Sequence, residues 1–329
     1  MAERHGTKLA DIIAGRAMEQ NTLWGYSGDD VLTGAELDDL IFGGKGNDNA
    51  SGGASNDVVF GNTGDDLLRG TEGDDILNAG EGNDYLSGGK GGDVLFAGKG
   101  DDYLDGNSGN DALLGDSGND TLLGNQGRDW LYGGAGDDKI YAGTGDDSVL
   151  VSSGHDSYWG GEGWDEIDFS EITGKVTVDL SRHSATIAFG KTTVTDIVSG
   201  FEVVQGSHAG SRLLGNNSEN KFYGGDGADY IRGMGGNDTM NGGEGRDIYA
   251  FLKKDTAGGA VDLIRDFEAG ADKLDVSDFM KGRSTIADAI RLTAGGEDTI
   301  VQGHTKTGWV DVVVLAGVDA HDVGYDILT

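Results

Sequence analysis

The sequence predicts an all-β protein: a parallel β-roll in two blocks, joined by ordinary strands and closed by a β-rich C-terminal module. Three observations predict it. Gly supplies 62 of the 329 residues while Pro is absent. Asp recurs every nine residues through sixteen consecutive units. An apolar residue follows each of those Asp at a fixed offset of two. Abundant Gly without order marks a flexible chain. Here Gly, Asp and the apolar residue hold one phase, so the chain reads as a stack of repeats with fixed turn positions.

Composition excludes several classes of function. The absence of Cys removes a disulfide scaffold, a thiolate zinc site and a Cys nucleophile. Lys and Arg total 24 against 58 Asp and Glu, a formal charge of −34. That balance excludes a nucleic-acid partner, which needs clustered cations facing phosphate. The N-terminal apolar run Ala10–Ala14 is broken by Asp11 and is too short for a signal-peptide core. No run approaches the roughly 18 apolar residues of a membrane span.

The elements follow in order. Asp11-Ile12-Ile13 and Asn21-Thr22-Leu23 read as two degenerate leading units. The regular register then carries Asp30, Asp39, Asp48, Asp57, Asp66, Asp75, Asp84, Asp93, Asp102, Asp111, Asp120, Asp129, Asp138, Asp147, Asp156 and Asp165. Gly stands two residues before each, except at Leu37 and Ser55. The apolar position runs from Leu32, Ile41 and Ala50 to Tyr158 and Ile167. A shorter run with the same spacing follows at Ser211, Asn220, Asp229, Asp238 and Asp247. Each apolar residue with its two neighbours reads as a very short strand with one side chain inward. The Gly-rich half of each unit reads as a tight turn in backbone conformations that Gly adopts cheaply. Two units make one full turn, so units two apart stack and alternate units build opposite sheets.

Two of the units, Ala79-Gly80-Glu81-Gly82-Asn83-Asp84-Tyr85-Leu86-Ser87 and Gly133-Gly134-Ala135-Gly136-Asp137-Asp138-Lys139-Ile140-Tyr141, show the pattern most clearly. They resemble the nonapeptide G-G-x-G-x-D-x-U-x of the RTX (repeats-in-toxin) family. The resemblance implies a right-handed parallel β-roll that binds many Ca²⁺ ions between stacked loops. It implies as ligands the carboxylates of the sixteen Asp and of Asp229, Asp238 and Asp247. It also implies backbone carbonyls of Gly64, Gly73, Gly82, Gly91, Gly100, Gly109, Gly118, Gly127, Gly136 and Gly145. Six to eight oxygens suit this ion. Stacked Asp would repel without a counter-ion, and the core is a thin apolar seam, so the chain is expected to fold only when calcium binds.

The two sheets differ. In one, the outward residues are apolar on strand after strand, including Phe42, Phe60, Phe96, Leu114, Tyr132 and Leu150. Such a row needs cover. The candidates are the chain's own C-terminal part, a second copy of the protein, or a membrane or glycan partner.

The register stops after Phe169. The first block is therefore set at 1–169, a strand connector at 170–206, the second block at 207–250 and the C-terminal module at 251–329. Lys175–Leu180 and Ala185–Phe189 alternate like ordinary strands. The stretch Asp262–Ser277, the later Trp309–Val318 and the tail Tyr325-Asp326-Ile327-Leu328-Thr329 resemble the C-terminal module of serralysin-type RTX proteins. That resemblance implies export through type I secretion machinery, which reads an uncleaved C-terminus, and an extracellular location.

No H-E-x-x-H exists among His5, His155, His183, His208, His304 and His321, and no G-x-S-x-G occurs. Gly190-Lys191-Thr192 resembles the end of a phosphate loop, but Ala185 stands where that motif needs Gly. The repeats begin by about residue 20, which leaves no room upstream for a separate catalytic domain. The reading is a secreted, calcium-folded, non-catalytic protein with a binding or structural role in adhesion, matrix or host contact. Its build is similar to that of rhizobial secreted RTX proteins of the nodulation-signalling type. The alternatives are the repeat-and-export part of a larger secreted protease, lipase or epimerase, and a calcium-dependent membrane-active protein.

Overall fold

The computed structural model describes residues 2–323 and 326–328. Tyr325 and Thr329 of the expected export tail lie outside the described residues. The chain divides into two compact units, Met1–Glu166 and Ile167–Thr329.

The first unit is a roll of two parallel sheets. One sheet stacks Asn21–Ser27, Leu40–Lys45, Val58–Thr63, Ile76–Glu81, Val94–Lys99, Ala112–Ser117, Trp130–Ala135 and Ser148–Leu150. The other stacks Val31–Thr33, Asn49–Ala54, Leu67–Glu72, Tyr85–Lys90, Tyr103–Ser108, Thr121–Gln126, Lys139–Thr144 and Ser157–Glu162. Register advances by one full turn at every step, as in Leu86 beside Leu104 and Leu104 beside Leu122. Both degenerate leading units are strands of the roll, and Ala2–His5 adds a further strand beside Asn21–Trp24.

Most strands are six residues long, twice the length the sequence pattern suggests. The added half is the Gly-rich loop, whose backbone pairs with the loop above and below. Each strand therefore turns two positions inward. The first is the apolar residue and the second is the Gly or Ala two places on, such as Leu95 with Ala97 and Ile140 with Ala142, all without solvent exposure. The small second residue keeps the roll thin. The apolar seam from Leu23 to Tyr158 is fully buried, and burying each Leu contributes about 2 kcal/mol.

The second unit opens with an antiparallel meander, Lys175–Asp179, Ser184–Phe189 and Thr192–Ser199. Parallel stacking resumes from Ser211–Leu214 through Tyr230–Arg232 to Ile248–Ala250, and from Val203–Gln205 through Lys221–Gly225 to Thr239–Gly243. It continues into Asp262–Ile264 and Lys273–Asp275. A second antiparallel meander, Ile290–Gly295, Asp298–His304 and Trp309–Leu315, joins the stack through Asp262–Ile264. The α-helix of the described residues is one turn, Ser277–Met280.

Candidate metal centre

Glycine builds the loops. Two residues before Asp102, Gly100 has φ +134°, and a Cβ there would lie 1.7 Å from the carbonyl oxygen of Gly82 in the preceding turn. The same contact repeats at Gly118 against Gly100, at 1.6 Å. The loops thus stack backbone on backbone, with the Gly carbonyls directed along the stack. A Cβ at Gly100 or Gly118 would force the turns apart; Ser55, which stands at this position in an earlier turn, also holds a left-handed φ of +72°.

The Asp side chains are tied into two columns. The backbone N–H of Asp84 donates to Oδ1 of Asp102 at 2.7 Å, and that of Asp102 to Oδ1 of Asp120 at 2.8 Å. The opposite column runs the same way, as from Asp93 to Asp111 and from Asp111 to Asp129, each at 2.8 Å. One carboxylate oxygen of each Asp is consumed by this ladder.

The other oxygen has no donor. Oδ2 is buried without a hydrogen-bond partner at Asp30, Asp48, Asp57, Asp66, Asp75, Asp84, Asp93, Asp102, Asp111, Asp120, Asp129, Asp138 and Asp147. In the second unit the same holds at Asp229, Asp238 and Asp247. A buried carboxylate oxygen left bare is costly, so rows of them mark places built for a cation. The surroundings fit one. A Cβ at Gly70 would lie 2.2 Å from Asp75 Oδ2 and 2.6 Å from the Gly88 carbonyl oxygen. At Gly115 the corresponding oxygens are Asp120 Oδ2 at 2.4 Å and Gly133 O at 2.5 Å. A carboxylate and a carbonyl from successive turns therefore converge beside this inward position, which Ala79, Ala97 and Ala142 fill in other turns. Among the described residues, no group of three or more His, Cys, Asp or Glu side chains is placed to hold a metal. The stacked backbone carbonyls are the nearest further oxygens, and calcium takes six to eight oxygens.

The electrostatics agree. Burial pushes the carboxyls of Asp66, Asp84, Asp93, Asp120 and Asp129 up to about 7, and neighbouring carboxylates of the same column add to the rise. Adjacent turns are about 5 Å apart. At an effective dielectric near 20, each neighbouring pair of charges repels by about 3 kcal/mol. A divalent ion between turns removes that repulsion.

Some ladder positions are already satisfied. Oδ2 of Asp39 accepts the N–H of Ala35 at 2.7 Å, and Oδ2 of Asp156 accepts the hydroxyl of Tyr158 at 2.7 Å. At the start of the roll, Asp11 Oδ2 accepts both the N–H and the hydroxyl of Thr7. Asp165 lies at the end of its column, where its Oδ1 accepts the N–H of Asp147. In the second unit, Ser211 and Asn220 occupy ladder positions and donate their N–H groups to Asp229 and Asp238.

Three features lay outside the nonapeptide reading. A second, exposed ladder runs one residue earlier: Asp65 Oδ1 accepts the N–H of Asn83, and Asn83 Oδ1 that of Asp101, both at 2.8 Å. Its signal was the recurring Asp-Asp or Asn-Asp dipeptide. The inner columns also continue beyond Asp247, through Asp262 Oδ1 below Asp238 and Asp272 Oδ1 below Asp247, both at 3.0 Å. Asp272-Lys273-Leu274 repeats the Asp-x-apolar signature, but an irregular spacing hides it. The third is Asp326, which Lys273 Nζ and the N–H of Gly270 hold; here an ammonium stands against the carboxylate.

Comparison with known families agrees with this geometry. The model of the RTX calcium-binding nonapeptide repeat (4 copies) matches at residues 19–40, 33–68, 60–95, 87–122, 114–149 and 123–158. The model of the peptidase M10 serralysin C terminal matches residues 157–324. Among solved structures, the chain is similar to a subunit of the mannuronan C5-epimerase of Azotobacter vinelandii, with 24% identity and a TM-score of 0.17 over 36% of this chain and 77% of that one. It is also similar to the extracellular lipase LipA of Serratia marcescens, with 18% identity and a TM-score of 0.21 over 77% of this chain and 41% of that one. A comparison with curated proteins finds no match.

Proposed function

The chain belongs to the RTX calcium-binding proteins with a serralysin-type C-terminal domain, and from that membership we propose that it is a secreted protein that folds on meeting extracellular calcium and then acts as a non-catalytic binding or structural protein. The observation that carries this reading is the pair of columns of buried, donorless Asp oxygens in the first unit. Calcium bound there supplies positive charge between turns and joins them through oxygen ligands. Asp30, Asp48 to Asp147 in steps of nine, and Asp229, Asp238 and Asp247 would hold the ions through Oδ2. The stacked Gly carbonyls would complete the shells. Asp39 and Asp156 would take no ion through Oδ2, because protein donors occupy that oxygen.

The role in export follows from the same charge. Where calcium is scarce, the acidic columns repel and the chain stays threadable. Outside the cell, calcium closes the roll and opposes backward movement. The half-buried row Phe42, Phe60, Phe96, Leu114, Tyr132 and Leu150 is the surface on which two copies would pair. A circular-dichroism titration tests the reading: β signal should be low in chelator and rise cooperatively to a plateau in millimolar calcium. Equal β content in both conditions would falsify it. Sedimentation in the same buffers then reads the pairing, as a shift from one copy to two.

A further inference from the structure

We propose that the aromatic sheet pairs face to face with a second copy of this chain, the two rolls antiparallel and Asn78 on the two-fold axis. The inference rests on the pairing surface named above and fixes its partner strand by strand. That face spans the strands from Asn21–Ser27 to Ser148–Leu150. Most of them are six residues long, so it measures about 38 Å by 20 Å, roughly 760 Å². A stable pair covers about 800 Å² on each partner.

The larger outward side chains form a column from Trp24 to Leu150, one residue per turn. Trp24 and Phe42 stack at 4.0 Å, and Phe42 and Phe60 at 5.1 Å. These rings face one another along the roll, so the column turns ring edges outward as a ridge. Asn78 breaks the ridge between Phe60 and Phe96. It is half-buried, and among the described residues its amide has no hydrogen-bond partner.

One amide in an apolar column decides the register. Covered by a ring or a leucine, it would lose its water and gain nothing. In one antiparallel alignment Asn78 meets Asn78, and each amide can both donate and accept. A lone buried Asn fixes register in the same way in coiled coils. The rest of the face agrees. Phe60 then meets Phe96 of the partner subunit, Phe42 meets Leu114 of the partner subunit, and Val58 meets Val94 of the partner subunit. At the rim Glu81 also lies on the axis. Its own Lys99 is 2.7 Å away, and Lys99 of the partner subunit arrives on its other side, so the charges alternate in sign. A parallel pair loses one feature or the other. It sets Asn78 against Ile76 of the partner subunit, or it keeps Asn78 on the axis and sets Val58 against Asn62 of the partner subunit. A bilayer is a poorer fit, because Lys45 and Lys99 share the rim with Glu81 and Asp116 and offer anionic headgroups no basic fringe.

Cross-linking of the full chain in saturating calcium tests this, with circular dichroism of the same samples as the folding control. The sequence holds no Cys, so an introduced thiol has no competitor. Facing sheets lie about 10 Å apart, beyond the reach of a disulfide and within that of a short bis-maleimide. Asn78→Cys should link into a covalent dimer. Phe42→Cys and Leu114→Cys lie about 19 Å from their own copies along the roll, so neither should link alone. Mixed in chelator before calcium is added, the two variants should link to each other. Phe60→Asp puts a charge into the ridge and leaves the inward seam intact. It should weaken the pair roughly a hundredfold or more by sedimentation, while Lys139→Ala on the opposite sheet leaves it unchanged. The pairing is overturned if the folded chain sediments as one copy at every concentration, or if Phe60→Asp has no effect. The register is overturned if a dimer forms and Asn78→Cys does not link, or if Phe42→Cys links alone. The calcium reading is judged separately, on the β signal in chelator.

Discussion

Gly100 carries both a left-handed φ and a carbonyl oxygen of the neighbouring turn where its Cβ would be. Gly100→Ala should therefore cost about 3 kcal/mol and raise the calcium concentration at the folding midpoint, followed by circular dichroism. Thr71 shows the converse. It holds φ +105° with a β-branched side chain, at a loop position that Gly fills in neighbouring turns as Gly53 and Gly89. Thr71→Gly should stabilise the calcium-loaded roll by about 1 kcal/mol, seen as a higher thermal midpoint. A third pair of variants separates ion ligands from satisfied carboxylates. Asp102→Asn keeps the Oδ1 that accepts from Asp84 and replaces the bare oxygen. It should lower the number of ions counted by calorimetry. Asp39→Asn changes an oxygen that already has a donor and should leave the count unchanged.

At the scale of the element, a strand and its loop act as one unit, and the columns couple one turn to the next. In chelator, burial places many column carboxyls near 7, well above their value near 4 in the unfolded chain. The folded state then binds more protons than the unfolded one between these values. Stability of the calcium-free roll should rise as pH falls through about 7 and level off below about 4. More β signal at pH 5 than at pH 8 in chelator is the expected outcome. Protons would compete with calcium for the Oδ2 oxygens proposed to hold it, so the calcium midpoint should move to higher concentration over the same fall in pH. The apolar seam sets a second requirement. Leu104 is fully buried between Leu86 and Leu122, and Leu104→Ala should cost about 3 kcal/mol in calcium, read by denaturant unfolding. The register of these strands was legible in the sequence because Asp, Gly and the apolar residue all repeat together. Their doubled length was not, because a Gly-rich loop has no apolar alternation to reveal that its backbone pairs with its neighbours. The outer Asp/Asn ladder escaped for another reason: its residues are exposed and vary between Asp and Asn, so no strict letter marks them.

For the whole molecule, the charge of −34 describes a chain before it meets its ions. The sequence alone determined the parallel roll, its turn length, the inward residues and the Asp columns. These follow from one local rule repeated many times, and a repeat places each unit by stacking it on the one a turn earlier. Only the tertiary structure decided which oxygens are left bare. Asp39 and Asp102 share the Asp-x-apolar signature, and Leu37 in place of Gly marks the first loop as irregular, but only the structure shows that Ala35 donates to one and no donor reaches the other. That distinction depends on where the residue's own loop turns its N–H, four residues upstream. The tertiary structure likewise brought Thr71, Asn107 and Asn125 to one polar concavity, because residues one or two full turns apart come together only after the roll closes.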